Sequence, residues 1–358
     1  MGSRKRNLKD HHSRRSGKGN PKYRLNEQEA NLIRDYRRIQ QEAESAGLNP
    51  KDVHSGWIKS KEASIYFKNP HHKQEDIKKL IRDLIKDLKE YSPEYPTIKR
   101  PKQIDGHLFF CCPSDLHIGK LCKSFVSGEE YNSQIAVLRA LEGVRGCIEK
   151  AKGFHIDKVV FLLSGDLLHV DNLRNTTTAG TPQDVDGLFS DNFLLAKRLM
   201  VEIIELLLQL ADVHVMYTSG NHDHISGFLM AQILQAHFRK SKNITWDISL
   251  QMRKYYRYNS TLIGSCHGDK VKWNLLPMLM ADESRDWSDT KYRYMFTQHV
   301  HHKVTNDFIG VTLESLRSPS EADSWHHKSG YQSSNNKAIE SFIFHKQHGQ
   351  VARITHLF

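Results

Sequence analysis

From residue 107 onward the chain alternates between short apolar runs and longer stretches whose apolar residues recur every three or four positions. HLFFCC (107–112), KVVFLL (158–163), VHVMYT (213–218), TLIGSC (261–266) and YRYMFT (292–297) are short apolar runs of strand length. Between them, residues 133–152, 188–210 and 227–239 carry helical periodicity. Strands separated by helices predict an α/β protein, an α/β/α arrangement in which a β-sandwich is flanked by helices. No internal repeat is visible.

The pattern before residue 107 is different. A helix is expected over 26–46, ending at Gly47, and an amphipathic one over 74–91, with Ile77, Leu80, Ile81, Leu84, Ile85 and Leu88 on one face. Between them, 48–69 offers only Trp57, Ile58 and Phe67 as apolar anchors, and two short helices are expected there. GLNPKDVHSGWIKS within it is compatible with a helix-turn-helix or with a plain helical bundle. SPEYPTIKRPK then places three prolines within nine residues, the signature of a linker. The expected organisation is a tail over 1–22, a basic helical domain over 23–92, a linker over 93–104 and one large domain over 105–358. The tail is Gly-, Ser- and Lys/Arg-rich, and is expected to be disordered.

Charge sharpens this division. The formal net charge is +11, and residues 1–100 hold 24 Lys+Arg against 14 Asp+Glu, so nearly all of the excess is N-terminal. An anionic partner met by that region is expected, DNA above all; oligomerisation or docking of a protein partner is the other use. Cys111, Cys112, Cys122, Cys147 and Cys266 form an odd set without a CxxC pair, which favours a reducing compartment over a disulfide framework or zinc knuckle. No apolar stretch follows the basic N-terminus and none is suited to spanning a membrane, so a cytoplasmic protein is expected.

The chemistry lies at the strand ends. PSDLHIGK follows the first strand, with Asp115 and His117; SGDLLHVDN follows the second, with Asp166. SGNHDH follows the third, with Asn221, His222 and Asp223; CHGD brings His267 and QHVHH brings His299 and His301. In such sheets functional groups gather beyond the carboxyl ends of the strands, so five clusters spread along the chain can meet in one site. Carboxylate, imidazole and amide oxygen together suit Mn²⁺, Fe or Zn²⁺ better than Mg²⁺ or Ca²⁺. Two ions close together need a shared anionic ligand, a role open to an Asp and closed to a neutral His.

In this order the motifs resemble those of the calcineurin-like metallophosphoesterase superfamily: DxH, GDxxD, GNHD, a His after a small residue, and GHxH. The resemblance covers roughly residues 107–315. It implies two divalent ions, manganese first, with iron or zinc as alternatives. One would be held by Asp115, His117, Asp166 and His301, the other by Asp166, Asn221, His267 and His299. It also implies that His222 protonates the leaving oxygen and that Asp223 orients its imidazole. Two motifs depart from the pattern. His169 stands at the second Asp of GDxxD, with Val170 where protein phosphatases carry Arg, and Gln298 replaces the Gly of GHxH. The layout is also similar to bacteriophage and prophage metallophosphoesterases and to SbcD-type DNA repair nucleases, which would place a phage-encoded chain in the host cytoplasm.

Three readings follow: a phosphodiesterase or nuclease acting on DNA, a hydrolase of small-molecule or nucleotide phosphoesters, and a DNA-binding accessory protein whose metal site is structural. Retention of His222 argues against the third, since a structural site needs no proton donor. His169, Asp171, Asn172, Arg174 and Lys120 are the candidate substrate contacts, the first three equally able to support the metal ligands from behind, and the polar loop RNTTTAGTPQDVDG (174–187) is a candidate gate or substrate contact beside them. Trp325, His326, His327 and Tyr331 follow the last motif and are expected mainly to pack or to lie exposed.

Overall fold

The computed structural model describes residues 94–101, 105–323 and 336–358, the backbone of 55–59 and 64–68, and single helical residues at 37, 40, 41, 79, 82–84 and 86. The tail, most of the two expected N-terminal helices and the 325–331 aromatic and histidine cluster lie outside the described residues. The chain divides into two compact units, Met1–Gln74 and Glu75–Phe358.

In the first unit, β1 (Ser55–Lys59) and β2 (Ser64–Lys68) pair antiparallel, with Ser55 opposite Lys68 and Lys59 opposite Ser64. This overturns the expectation of two short helices, or a helix-turn-helix, over this stretch. SGWIK and SIYFK are rich in aromatic and β-branched residues, which fit a pleated surface better than a helix. The four residues 60–63 between them are a hairpin-length connection.

The second unit runs β3 (His107–Cys112), α1 (Ser124–Ser127), α2 (Ser133–Lys150), β4 (Ile156–Leu163), α3 (Phe189–Leu208), β5 (Asp212–Tyr217), α4 (His224–His237) and β6 (Ile244–Asp247). It continues with β7 (Lys254–Tyr258), β8 (Thr261–Cys266), α5 (Leu276–Glu283), β9 (Tyr292–Thr297), β10 (Val304–Phe308), β11 (Val311–Ser315), β12 (Ala338–His345) and β13 (Gly349–Leu357). One sheet has the order β13-β12-β3-β4-β5-β6 and the other β10-β11-β9-β8-β7. β3 to β6 are parallel, as are β8, β9 and β11, so the strands preceding the five motifs share directions within their sheets.

Side chains alternate across each strand, and this builds the layers. Phe109, Cys111, Val159, Phe161, Val213 and Val215 point to the helices α2, α3 and α4. Their neighbours Leu108, Phe110, Val160, Leu162 and Met216 point the other way, onto Ile263 and Phe296 of the second sheet. The far face of that sheet, with Leu262, Met295 and Leu313, is covered by Leu276 and Met280 around α5. The protein is a mixed α/β fold of two sheets flanked by helices. All five cysteines are buried and free, as the strand setting of three of them suggested. No described helix is long and apolar enough to cross a membrane.

Residues 94–101 of the proline-rich stretch are irregular backbone fastened to the rest of the second unit. Tyr95 Oη donates to Glu205 at 2.8 Å, Asn243 brackets the Ile98 backbone at 2.9 Å on both its N–H and C=O, and Arg100 meets Asp212 at 3.2 Å.

Candidate metal centre

The five motif loops leave β3, β4 and β5 of one sheet and β8 and β9 of the other at their carboxyl ends, so parallel pairing brings the ligand types to one pole. There the backbone is under local strain. Among the described residues seven non-glycines have positive φ, and five of them are expected ligands: Asp115 (52°), His117 (46°), Asp166 (57°), His299 (71°) and His301 (58°). Side chains in this region cost on the order of 1–3 kcal/mol each and persist where the surroundings over-determine them.

Those surroundings are explicit. His117 N–H donates to Asp166 O at 2.9 Å and Ile118 N–H to Leu167 O at 2.8 Å, lacing the first motif to the second. The Asp223 carboxylate accepts from the backbone N–H groups of Asp166 (2.9 Å) and Leu168 (3.1 Å). Ser318 Oγ donates to Asp115 O at 2.7 Å. Gly220 is where the second and third loops touch: a Cβ there would fall 2.2 Å from Asp166 Oδ1.

The side chains converge. Asp115, His117 and His301 present ligand atoms within 4.8 Å of one another, and so do Asp166, His267 and His299. His267 Nε2 is 3.1 Å from Asp166 Oδ2 and 2.9 Å from Asn221 Oδ1, while its Nδ1 is 3.9 Å from Asp115 Oδ1. His117 Nε2 approaches His301 Nε2 to 3.1 Å. All seven expected ligands therefore share one site.

This donor set fits divalent ions. Asp115 Oδ1 and His267 Nδ1 are buried without a hydrogen-bond partner, a costly arrangement for polar atoms unless a cation meets them. Without ions, burial pushes Asp115 up to about 8 against the pull of His267. Asp166 is buried too, but His267 beside it and the His222 N–H hold its carboxyl below the usual range. For His267, burial is outweighed by Asp166 and Asp115, which raise it to about 9. Burial holds His117 well below the usual imidazole range, with His222 and His301 adding to the effect.

His222 lies beside these groups, its ring edge-on to His117 at 4.8 Å and stacked on His169 at 5.2 Å. Its Nδ1 meets the backbone carbonyl of His169 at 2.9 Å. Asp223, expected to orient this ring, instead holds the Asp166 turn; a carboxylate supplied with two backbone N–H donors is committed there.

The expected substrate contacts divide in a similar way. Asp171 accepts from Ile225 N, Ser226 N, Ser226 Oγ and Thr178 Oγ1, all at 2.6–3.1 Å, and so caps α4. Asn172 holds its own loop through Thr176 Oγ1 (2.8 Å) and the Arg174 N–H (2.9 Å). Lys120 is 1% exposed and paired with Asp323 at 3.3 Å. His169 is buried against His117, with 3.2 Å between their Nδ1 atoms. Only Arg174 is exposed. The loop read as a gate is a hydrogen-bonded hairpin, with Thr177 N–H to Thr181 O at 2.9 Å, and Thr178 N–H reaches Asn221 O at 3.3 Å.

Two contributors carried no signal of their role in the sequence. Buried Gln298 donates through Nε2 to Ser265 at 2.9 Å while its backbone N–H meets His267 O at 2.9 Å, tying the fourth loop to the fifth. Its departure from Gly marked the position but not the bond. Ser318 lies beyond the last motif in an unremarkable SPS triplet.

No protein-family model matches the sequence, and neither does any curated protein. Among solved structures, the chain is similar to an archaeal phosphodiesterase (11% identity, 70% of this chain and 99% of that one, TM-score 0.35). It is similar also to Vps29 of Entamoeba histolytica, solved in complex with zinc (11%, 70% and 98%, TM-score 0.33). A hypothetical protein of Pyrococcus horikoshii is a third (10%, 70% and 87%, TM-score 0.34). These likenesses are too slight to bear on function; the chemistry of the site stands on its own geometry.

Proposed function

We propose that this chain is a metal-dependent phosphoester hydrolase of the calcineurin-like type, acting on phosphodiesters of DNA. The observation that carries the reading is the meeting of seven ligand side chains from five strand ends, six of them in two three-residue groups and Asn221 against His267, beside one half-exposed histidine. Asp115, His117 and His301 would hold one divalent ion, and Asn221, His267 and His299 the other, with Asp166 shared between them. Manganese is the proposed ion, with iron or zinc compatible with the same donors. When bound, such a pair supplies Lewis acidity toward a phosphoryl group.

The chain's own residues do the rest. The carbonyl of His169 accepts a hydrogen bond from Nδ1–H of His222, so Nε2 is the nitrogen left to face the substrate, and with both ring nitrogens protonated it is the atom that delivers a proton to the departing oxygen. Support for a polyanionic substrate comes from exposed Arg174, Lys270, Lys272, His302 and Lys303, each within a few residues of a motif, and from the basic first unit.

The test compares bis(p-nitrophenyl) phosphate with p-nitrophenyl phosphate, each with Mn²⁺, and then single- and double-stranded DNA. Faster cleavage of the diester and of DNA is expected; a preference for the monoester with intact DNA would overturn the substrate assignment. His222→Ala should lower turnover by about 10²- to 10⁴-fold with both ions still bound. Unchanged turnover would remove His222 from the chemistry.

A further inference from the structure

We propose that His169 is the positioning residue of this site, fixing the ring tautomers of two neighbours: a metal ligand, His117, through its side chain, and the proton donor, His222, through its backbone carbonyl. The inference deepens the functional reading above and rests on its assignment of His117 and His222.

The distances leave one consistent proton arrangement. His117 turns Nε2 toward His301 and the Asp115 group, and a nitrogen that binds a cation carries no proton. The proton of neutral His117 is therefore on Nδ1. That atom is 3.2 Å from Nδ1 of His169, and two ring nitrogens at this separation share a single proton. His169 Nδ1 is then the acceptor, and the proton of the His169 ring is on Nε2. Ligand histidines commonly donate their second N–H to an outer partner that fixes ring orientation and raises basicity, most often a carboxylate or carbonyl. Here an imidazole fills that place, at the position where the family motif carries Asp.

The second half of the role lies in the backbone. His169 O faces His222 Nδ1 at 2.9 Å, and the two rings stack with 19° between their planes. His169 N–H in turn donates to Ile118 O at 3.0 Å, anchoring the residue to the loop that carries His117. With 1% exposure and both its polar ends turned inward, His169 is no substrate contact.

The experiment uses the full chain. Metal-free protein is titrated with Mn²⁺ by calorimetry in wild type, His169→Leu, which removes the ring acceptor and keeps the carbonyl, and His169→Asn, which restores an acceptor. Wild type is expected to bind two ions. His169→Leu should weaken one of them by about 10- to 100-fold and leave the other unchanged, and His169→Asn should recover most of the loss. A general packing role would weaken both ions together, with no rescue by Asn.

Ring ¹⁵N spectra of zinc-loaded wild type provide a measurement independent of any variant. They should show His117 protonated at Nδ1 and His169 at Nε2; a His169 ring protonated at Nδ1 overturns the proposal. So does wild-type affinity for both ions in His169→Leu, or a third wild-type ion that this substitution abolishes, which would make His169 a ligand. A wild type that binds two ions and cleaves no phosphoester would sink the functional reading, while the binding and tautomer results would still decide the role of His169.

Discussion

Asp115, Asp223 and His267 are three buried groups that hold protons more tightly in the metal-free fold than in an unfolded chain. Burial raises Asp115 to about 8, and burial with Asp166 nearby raises Asp223 to about 7, so the stability each contributes is complete in acid and lost as pH climbs through those values. His267, raised to about 9, contributes fully below its ordinary 6.5 and loses that contribution toward 9. Buried His117 and His169 are lowered, so they change stability only below about 6.5, where an unfolded imidazole takes up a proton. Between about pH 6.5 and 9 the signs agree, and the melting temperature in EDTA should fall. Ions displace protons from Asp115 and His267, so the gap between Mn²⁺-loaded and metal-free melts should widen over the same range. A constant gap would show that these groups do not bind metal. At this scale the ligand types were legible because Asp, His and Asn recur after each apolar run. The partners of Asp171 and Asp223 were not, since a carboxylate that accepts backbone N–H groups looks in sequence like one that meets substrate.

Elements differ in how much of their environment they carry in their own residues. β3 and β8 were recognisable because strands covered on both sides read as apolar runs. β12 is buried along its whole length yet includes Glu340, whose charge is met by Arg317 at 2.6 Å and also by Arg353. Its sequence alone reads as half polar, and the compensating arginines are supplied by the flanking segments. β1 and β2 escape recognition for the opposite reason: a few apolar anchors also fit short helix faces, whereas their aromatic and β-branched character suits paired strands. At the loop between β5 and α4 the constraint is steric. Gly220→Ala would drive its Cβ into Asp166 Oδ1 and the Asp166 backbone nitrogen, at 2.2 and 2.3 Å. It should destabilise the fold by about 1–3 kcal/mol and reduce Mn²⁺ affinity, measured by melting and by titration. Full metal affinity in a stable Gly220→Ala protein would mean the contact is slack.

Over the whole molecule, charge and chemistry are segregated. Met1–Gln74 holds 17 Lys+Arg against 8 Asp+Glu, while the candidate site belongs entirely to the second unit. Removing residues 1–74 should leave turnover on bis(p-nitrophenyl) phosphate unchanged, weaken DNA binding and flatten the dependence of log Kd on log salt. An unaltered salt slope would assign DNA contact to the site rim alone. The order of strands in the larger sheet has a further consequence. β3, which delivers Asp115 and His117, is flanked by β4 on one side and by β12 on the other, and β12 follows every other strand of this sheet but β13 along the chain. During synthesis the ribosome releases β3 long before its second neighbour exists, so its open edge waits for the β12–β13 pair. A nascent chain at that stage has β3 paired on one side only, so the strand end that carries Asp115 and His117 is fixed from both sides only once β12 has been made.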